Sequence, residues 1–223
     1  MDRYRALADL PATIPVFPLR GAILLPRASL PLNVFEPRYL SMVDDAISGA
    51  RMIGIVQPST GDGDTESPLG KDVALKRVGC AGRITAYQEL DDGRIIMTLT
   101  GICRFEVAAE KPTATPYRIV AADFAPFEQD LSPGLGETAV DRAELVDVLK
   151  SYLDQHGLQL DWDGIERTSS EFLVNALSIM CPYGPEEKQA LLEASDLARR
   201  ADVLVTLARM ELASHGGAGC MLQ

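Results

Sequence analysis

The sequence predicts an α+β protein: a small, closed or nearly closed β domain with one or two helices, followed by a bundle of four helices. Three observations lead there. Extended apolar runs punctuated by proline and glycine dominate as far as residue 127, with one helical stretch among them. Residues 130–136, with Ser132, Pro133, Gly134 and Gly136, then break the composition. Beyond that break, apolar residues recur at helical spacing. At 223 residues the chain is long for one domain and short for two, and its 47% hydrophobic content supplies a core without staples.

Residues 1–11 are a polar lead with at most a helical turn, expected to be a flexible end. The runs at 14–19 and 29–35 are rich in β-branched and aromatic residues, and their prolines place them on edge strands or strand ends. After Phe35 the period shifts to 3.6: Tyr39, Leu40, Val43, Ala46 and Ile47 share a face, with Pro37 in the first turn and Gly49 near the end. A further apolar run to Gln57 completes a β-β-α-β unit. Residues 58–71 collect Pro, Gly, Ser and acidic residues, the composition of a tolerated surface loop.

Three extended segments follow, at 73–90, 94–109 and 117–127. Asp91-Asp92-Gly93 makes the first two a hairpin. Ile95, Met97 and Leu99 alternate with Ile96, Thr98 and Thr100, as in a strand buried on one face and partly covered on the other. Gly79, Gly82 and Gly101 predict bulges or bends that curl the sheet.

Past the break, Leu145, Val148, Leu149, Tyr152 and Leu153 line one helical face, ending at His156-Gly157. Thr168-Ser169-Ser170-Glu171 reads as a capping box opening a helix to Met180, stopped by Pro182. Pro185 opens a third helix through Glu193. Ser195 or Asp196 caps a fourth, to about Ser214, with Leu197, Ala201, Leu204 and Ala208 as its core stripe. The expected division is a β-rich domain at 12–129, a helical bundle at 136–214 joined by a short, stiff connection, and a second flexible end at 215–223.

A net charge of −11 opposes binding to nucleic acid and to anionic membranes, and no basic run makes a local exception. Cys80, Cys103, Cys181 and Cys220 are far apart, and only His156 and His215 could join them, so neither a metal site nor a disulfide framework is expected. Without a signal-like h-region or an apolar run of membrane-spanning length, the expected location is the cytoplasm. The glycines of 63–71 are wrongly spaced for a nucleotide loop and Asp72 follows its lysine. No G-x-S-x-G elbow occurs and the histidines are badly placed for a Ser-His-Asp set. No catalytic, cofactor-binding or metal residues are therefore assigned, and a non-enzyme is expected. The terminal Cys220-Met221-Leu222-Gln223 fits a prenylation box formally, but its glycine-rich approach lacks basic residues, and it is read as a chance match.

Pro15-Val16-Phe17-Pro18-Leu19-Arg20-Gly21-Ala22-Ile23-Leu24-Leu25-Pro26, continued by Pro31-Leu32-Asn33-Val34-Phe35-Glu36-Pro37-Arg38-Tyr39, resembles the opening of the Lon protease N-terminal (substrate-binding) domain family. Gly79-Cys80-Ala81-Gly82-Arg83-Ile84 and Gly101-Ile102-Cys103-Arg104-Phe105 are similar to two of its strands, and Glu187-Lys188-Gln189-Ala190-Leu191-Leu192-Glu193 to its helical part. The resemblance covers about residues 12 to 212. It implies a PUA-like β pseudobarrel followed by a helical bundle, free-standing without ATPase or protease domains, and so without that family's Ser-Lys dyad. It further implies a polypeptide- or protein-binding module acting in protein quality control or as an adaptor. The partners would be unfolded or degron-bearing polypeptides, or a protease or adaptor protein. The alternatives are RNA binding through the PUA-like fold, which the charge disfavours, and a small-molecule-binding domain.

The densest local chemistry is Phe35-Glu36-Pro37-Arg38-Tyr39, where a strand meets a helix start. Phe35, Glu36, Arg38 and Tyr39 read as a peptide-recognition surface, since Arg and Tyr dominate protein contacts. The competing reading puts Phe35 and Tyr39 in the core and pairs Arg38 with a carboxylate. Arg83 and Arg104, each on a strand, carry the same two readings. Trp162, between carboxylates in a helix linker, is either an exposed anchor or, more in keeping with tryptophan, a buried pin.

Overall fold

The extended runs become strands β1 (Thr13–Pro18), β2 (Ser29–Val34), β3 (Met52–Pro58), β4 (Leu75–Glu89), β5 (Ile95–Lys111) and β6 (Arg118–Asp123), with helix α1 (Pro37–Ser48) between β2 and β3. These come from a computed structural model, which describes residues 4–59, 73–155, 157, 164–165 and 167–217. Residues 60–72, among them Gly63 to Lys71, and His156, Trp162 and Cys220 lie outside the described residues. The six strands form one sheet in the order β2-β5-β4-β3-β1-β6, and β6 pairs back onto β5. The pairings thus form a ring of five strands with β2 attached outside it. Only β1 and β3 run parallel.

Prolines were expected on edge strands or strand ends; Pro18 does end β1, yet β1 has a partner on each side. Its two pairings are offset: Thr13 to Val16 face β6, and Val16 to Pro18 face β3. Pro15 and Pro18 each fall where β1 has one registered neighbour, so each missing N–H can lie on an unpaired side. Pro31 sits on β2, a true edge.

The hairpin turn holds Gly93 at φ 82°, the left-handed conformation glycine tolerates. The β4–β5 register slips between Ala81 and Gly82, where Cys103 and Gly101 are the successive partners and Ile102 is the extra residue. Gly101 is fixed by contact as well: an added Cβ would lie 2.0 Å from the Leu25 carbonyl oxygen. Val16, Ile53, Val56, Cys80, Leu99, Cys103, Phe105 and Val120, all fully buried, fill the interior.

Two compact units emerge. The first runs to Pro133 and includes Pro182–Leu192; the second is Gly134–Cys181 together with the chain from Glu193. Helix α4 (Pro185–Glu193) therefore belongs with the sheet and not with the helical bundle the sequence predicts for 136–214. The reason is a buried amide network. Gln57 on β3 donates from Nε2 to the Pro185 carbonyl at 2.8 Å and to Gln189 Oε1 at 3.1 Å, and Gln189 donates to the Val78 carbonyl at 3.2 Å.

The second unit holds α2 (Arg142–Gln155), α3 (Ser170–Met180) and α5 (Leu197–Gly217), without the Pro185–Glu193 helix that was expected among its four. α2 buries Leu145, Val148, Leu149, Tyr152 and Leu153, the face read from the sequence. The cap of α3 falls one residue later than the predicted box: Ser169 Oγ accepts from the Phe172 amide at 3.2 Å. The Glu171 carboxylate instead accepts from the Gly134 amide, and Glu137 accepts from the Glu171 amide. No helix among the described residues is long and apolar enough to cross a membrane.

Candidate functional site

β2 carries its chemistry at both edges of the alternation. Leu30 and Val34 point inward and are buried, whereas Ser29, Pro31 and Asn33 are exposed. Phe35 continues the exposed register and is 64% exposed. Asn33 is opposite Ile96 on β5, itself 46% exposed, so two exposed apolar residues, Phe35 and Ile96, stand near this end of the β2–β5 pair. Beyond β5, among the described residues, β2 has no strand partner, which leaves its outer backbone edge without a ladder.

The backbone turns abruptly after Phe35. Pro37 disfavours helical backbone at the residue before it, and Glu36 is extended at φ −73°, ψ 131°, as the N-cap of α1. This divides the five-residue cluster. Tyr39 turns into the core, 4% exposed, with its ring 4.0 Å from that of Phe17. Burial raises its hydroxyl pKa. Arg38 lies over the same ring, 4.5 Å from its centroid, and donates from Nε to Glu36 at 2.8 Å. Phe35 alone of the four projects its apolar side chain into solvent, while the half-exposed Glu36–Arg38 pair covers Tyr39.

The two strand arginines part company. Arg83, half-buried on β4, donates from Nη1 to the Tyr4 hydroxyl at 2.9 Å. Arg104, read from the sequence as a candidate for peptide contact, is 1% exposed and is an internal residue. Its guanidinium grips Asp130, donates from Nη1 to the Leu192 carbonyl at 3.0 Å and stacks over Phe127. A guanidinium so engaged has no face to offer a peptide.

Sequence reasoning assigned Asp130 to a linker and missed it as the counter-ion. It also passed over Ile96, although an isoleucine on the solvent side of an alternating strand was visible in Ile95-Ile96. No group of three or more His, Cys, Asp and Glu among the described residues is arranged to hold a metal. This end of β2, with Phe35 and Ile96, can offer apolar contact and backbone hydrogen bonds.

Comparison with known proteins agrees with this architecture. The profile of the "ATP-dependent protease La (LON) substrate-binding domain" matches residues 13–209. Curated relatives include a Lon protease of Flavobacterium johnsoniae, 28% identical over 86% of this chain and 23% of its own length. Another is a Lon protease of Parabacteroides distasonis, 29% identical over 89% of this chain and 24% of its own length. The chain thus spans about a quarter of these relatives. Two solved structures share the fold. The Lon N-terminal domain protein from Xanthomonas campestris has TM-score 0.56 and 24% identity, covering 87% of this chain and 97% of that one. The N-terminal domain of a Mycobacterium avium complex Lon protease has TM-score 0.61 and 18% identity, covering 88% and 98%. Since the family profile accounts for nearly the whole chain, the protein belongs to the LON substrate-binding domain family.

Proposed function

We propose that the chain is a substrate-recognition module that binds extended segments of unfolded or degron-bearing polypeptides along β2. The observation that carries this is the pairing of an open strand edge with the exposed Phe35 and Ile96. An added strand would gain main-chain hydrogen bonds from the edge and selectivity from an apolar side chain against these residues. Glu36 and Arg38 rim the Phe35 end as polar groups, Arg83 stands level with Ser29 at the other end of β2, two strands in, and Tyr39 positions Arg38 from below. Family membership supports polypeptides as the ligand class, and a role in quality control or as an adaptor to a protease is part of the same proposal. The ring of strand pairings supports reading the β unit as a PUA-like pseudobarrel. RNA binding, the alternative that fold would suggest, is opposed by the net charge of −11. A module of this kind would work in the cytoplasm without a catalytic group of its own.

The test is fluorescence anisotropy with a labelled, permanently unfolded polypeptide. Saturable binding is expected, weakened about tenfold or more by Phe35→Ser and by Ile96→Ser at unchanged melting temperature. Absence of saturable binding, or indifference to both variants, would overturn the reading.

A further inference from the structure

At the other end of β2 from Phe35 lies a cleft of about 150 Å³ lined by Tyr4, Arg5, Arg27, Ile102, Asp130 and Leu131, among others. Its charge is unlike that of the molecule. Arg5 and Arg27 are among its lining residues, and Arg83 donates to the hydroxyl of another, Tyr4. The carboxylate on its wall, Asp130, is already in the fork of Arg104 and also accepts from the Arg104 amide at 3.0 Å. Asp9 stands near Arg5, accepting the Arg5 and Ala6 backbone amides. A protein with a net charge of −11 thus gathers cations around one concavity.

Arg27 is held there at a cost. Its φ is 64°, a conformation that glycine adopts freely and arginine does not. Its amide donates to the Gly101 carbonyl at 2.8 Å, and Nη1 donates to the Asp130 carbonyl at 2.5 Å, fixing the guanidinium at the cleft wall. A glycine would satisfy the backbone; the arginine adds a placed positive charge.

We infer that this cleft binds the C-terminal carboxylate of a polypeptide. The inference rests on the proposed function and deepens it. β2 runs from the Arg27 end to the Phe35 end, so a segment added antiparallel to it ends, with its carboxylate, at Arg27. From Ser29 to Phe35 is about 20 Å of extended chain, a span for roughly six residues. Planar guanidiniums match a carboxylate in geometry as well as charge, and Ile102 and Leu131 suit an apolar last side chain.

The experiment titrates the labelled 223-residue chain with N-acetylleucine, N-acetylleucinamide and the α-amide of N-acetylglutamate, following amide shifts by NMR. N-acetylleucine is expected to move the Gly101 and Ile102 amides saturably, with the leucinamide at least tenfold weaker. Arg27→Gln and Arg5→Gln are each expected to weaken N-acetylleucine about tenfold; Arg5, on the exposed lead segment, serves where Arg27→Gln disturbs the fold. Equal binding of acid and amide, or no shift at Gly101 and Ile102, overturns the site. Equal binding of the glutamate side-chain probe overturns the chain-end assignment. Polypeptide binding in the anisotropy assay without N-acetylleucine binding removes the cleft and leaves the proposed function; the reverse removes the proposed function and leaves a carboxylate site.

Discussion

Arg104 on β5 and Asp130 close a forked ion pair three residues before the chain leaves the sheet unit, with Nε and Nη2 each 2.8 Å from a different carboxylate oxygen. The side chains are 1% and 7% exposed. The same guanidinium bonds the Leu192 carbonyl, the last residue of that unit before the chain leaves it again. One side chain thus ties both departures to the sheet.

Arg104→Ala is expected to lower stability by about 3–5 kcal/mol, because it strands a buried carboxylate, and Asp130→Asn to cost a comparable amount. The double replacement Arg104→Met with Asp130→Leu should cost less than the sum of the two singles, since it removes both charges. Urea unfolding measures all three. A loss under about 1 kcal/mol for either single variant would show that the pair is not what holds this junction.

Tyr39 and Phe35, four residues apart, should respond oppositely. Tyr39→Ala removes a ring stacked on Phe17 and is expected to cost about 3–5 kcal/mol. Phe35→Ser, on an exposed side chain, should stay within about 0.5 kcal/mol of the parent. Arg38→Ala breaks a half-exposed ion pair and a ring contact and should cost no more than about 1 kcal/mol. Thermal melts decide it; a Phe35 variant as unstable as the Tyr39 variant would place Phe35 in the core.

How far the sequence carried the reading depends on how local each determinant is. Strands, α1 and the face of α2 follow from periodicity over ten residues or so, and they stand where the pattern put them, except that β6 ends at Asp123 and Ala125–Leu131 is 3-10 helical where extended chain was expected to 127. The side taken by Tyr39, Arg83 and Arg104 depends on partners 22 or more residues away, Phe17, Tyr4 and Asp130, which no window contains. The placement of α4 failed for the same reason. Its Gln189 pairs with Gln57, 132 residues earlier, and nothing in a helix signature announces that. The β2 edge was half legible: Pro31 marked an edge strand, but which of the proline-bearing strands was truly outermost required the pairing order.

Alkali should unfold the protein through two buried protons. Burial, with the Asp130 charge, pushes the Cys103 thiol from 9.0 to about 12. Burial and the hydrogen bond to Asp45 push the Tyr117 hydroxyl from 10.0 to about 12. Both groups bind their proton more tightly when folded, so their stabilisation is complete below pH 9 and is lost as the pH rises toward 12. The urea midpoint should fall progressively between pH 9 and 11, and less steeply in Cys103→Ala with Tyr117→Phe. A flat profile in the parent protein would contradict the burial of both groups.

The amide of Gln57 gives the sharpest test of why α4 stays with the sheet. It is 1% exposed; Oε1 accepts from the Gly21 amide at 2.8 Å while Nε2 donates to the Pro185 carbonyl and to Gln189 Oε1. Gln57→Glu keeps the acceptor but turns a double donor toward two oxygens into a carboxylate. Ionised, it faces acceptors in a dry site and is expected to cost at least about 2 kcal/mol. Desolvation and those oxygens would raise its pKa in the folded state, so the variant regains stability as the pH falls and the group protonates, leaving one O–H to donate. Gln57→Met, which cannot titrate, should be destabilised about equally at both ends of that range. Unfolding of both variants and the parent at pH 5 and pH 8 separates the cases: a loss in Gln57→Glu that is the same at the two pH values would mean that the donor bonds to α4 are not what the glutamine supplies.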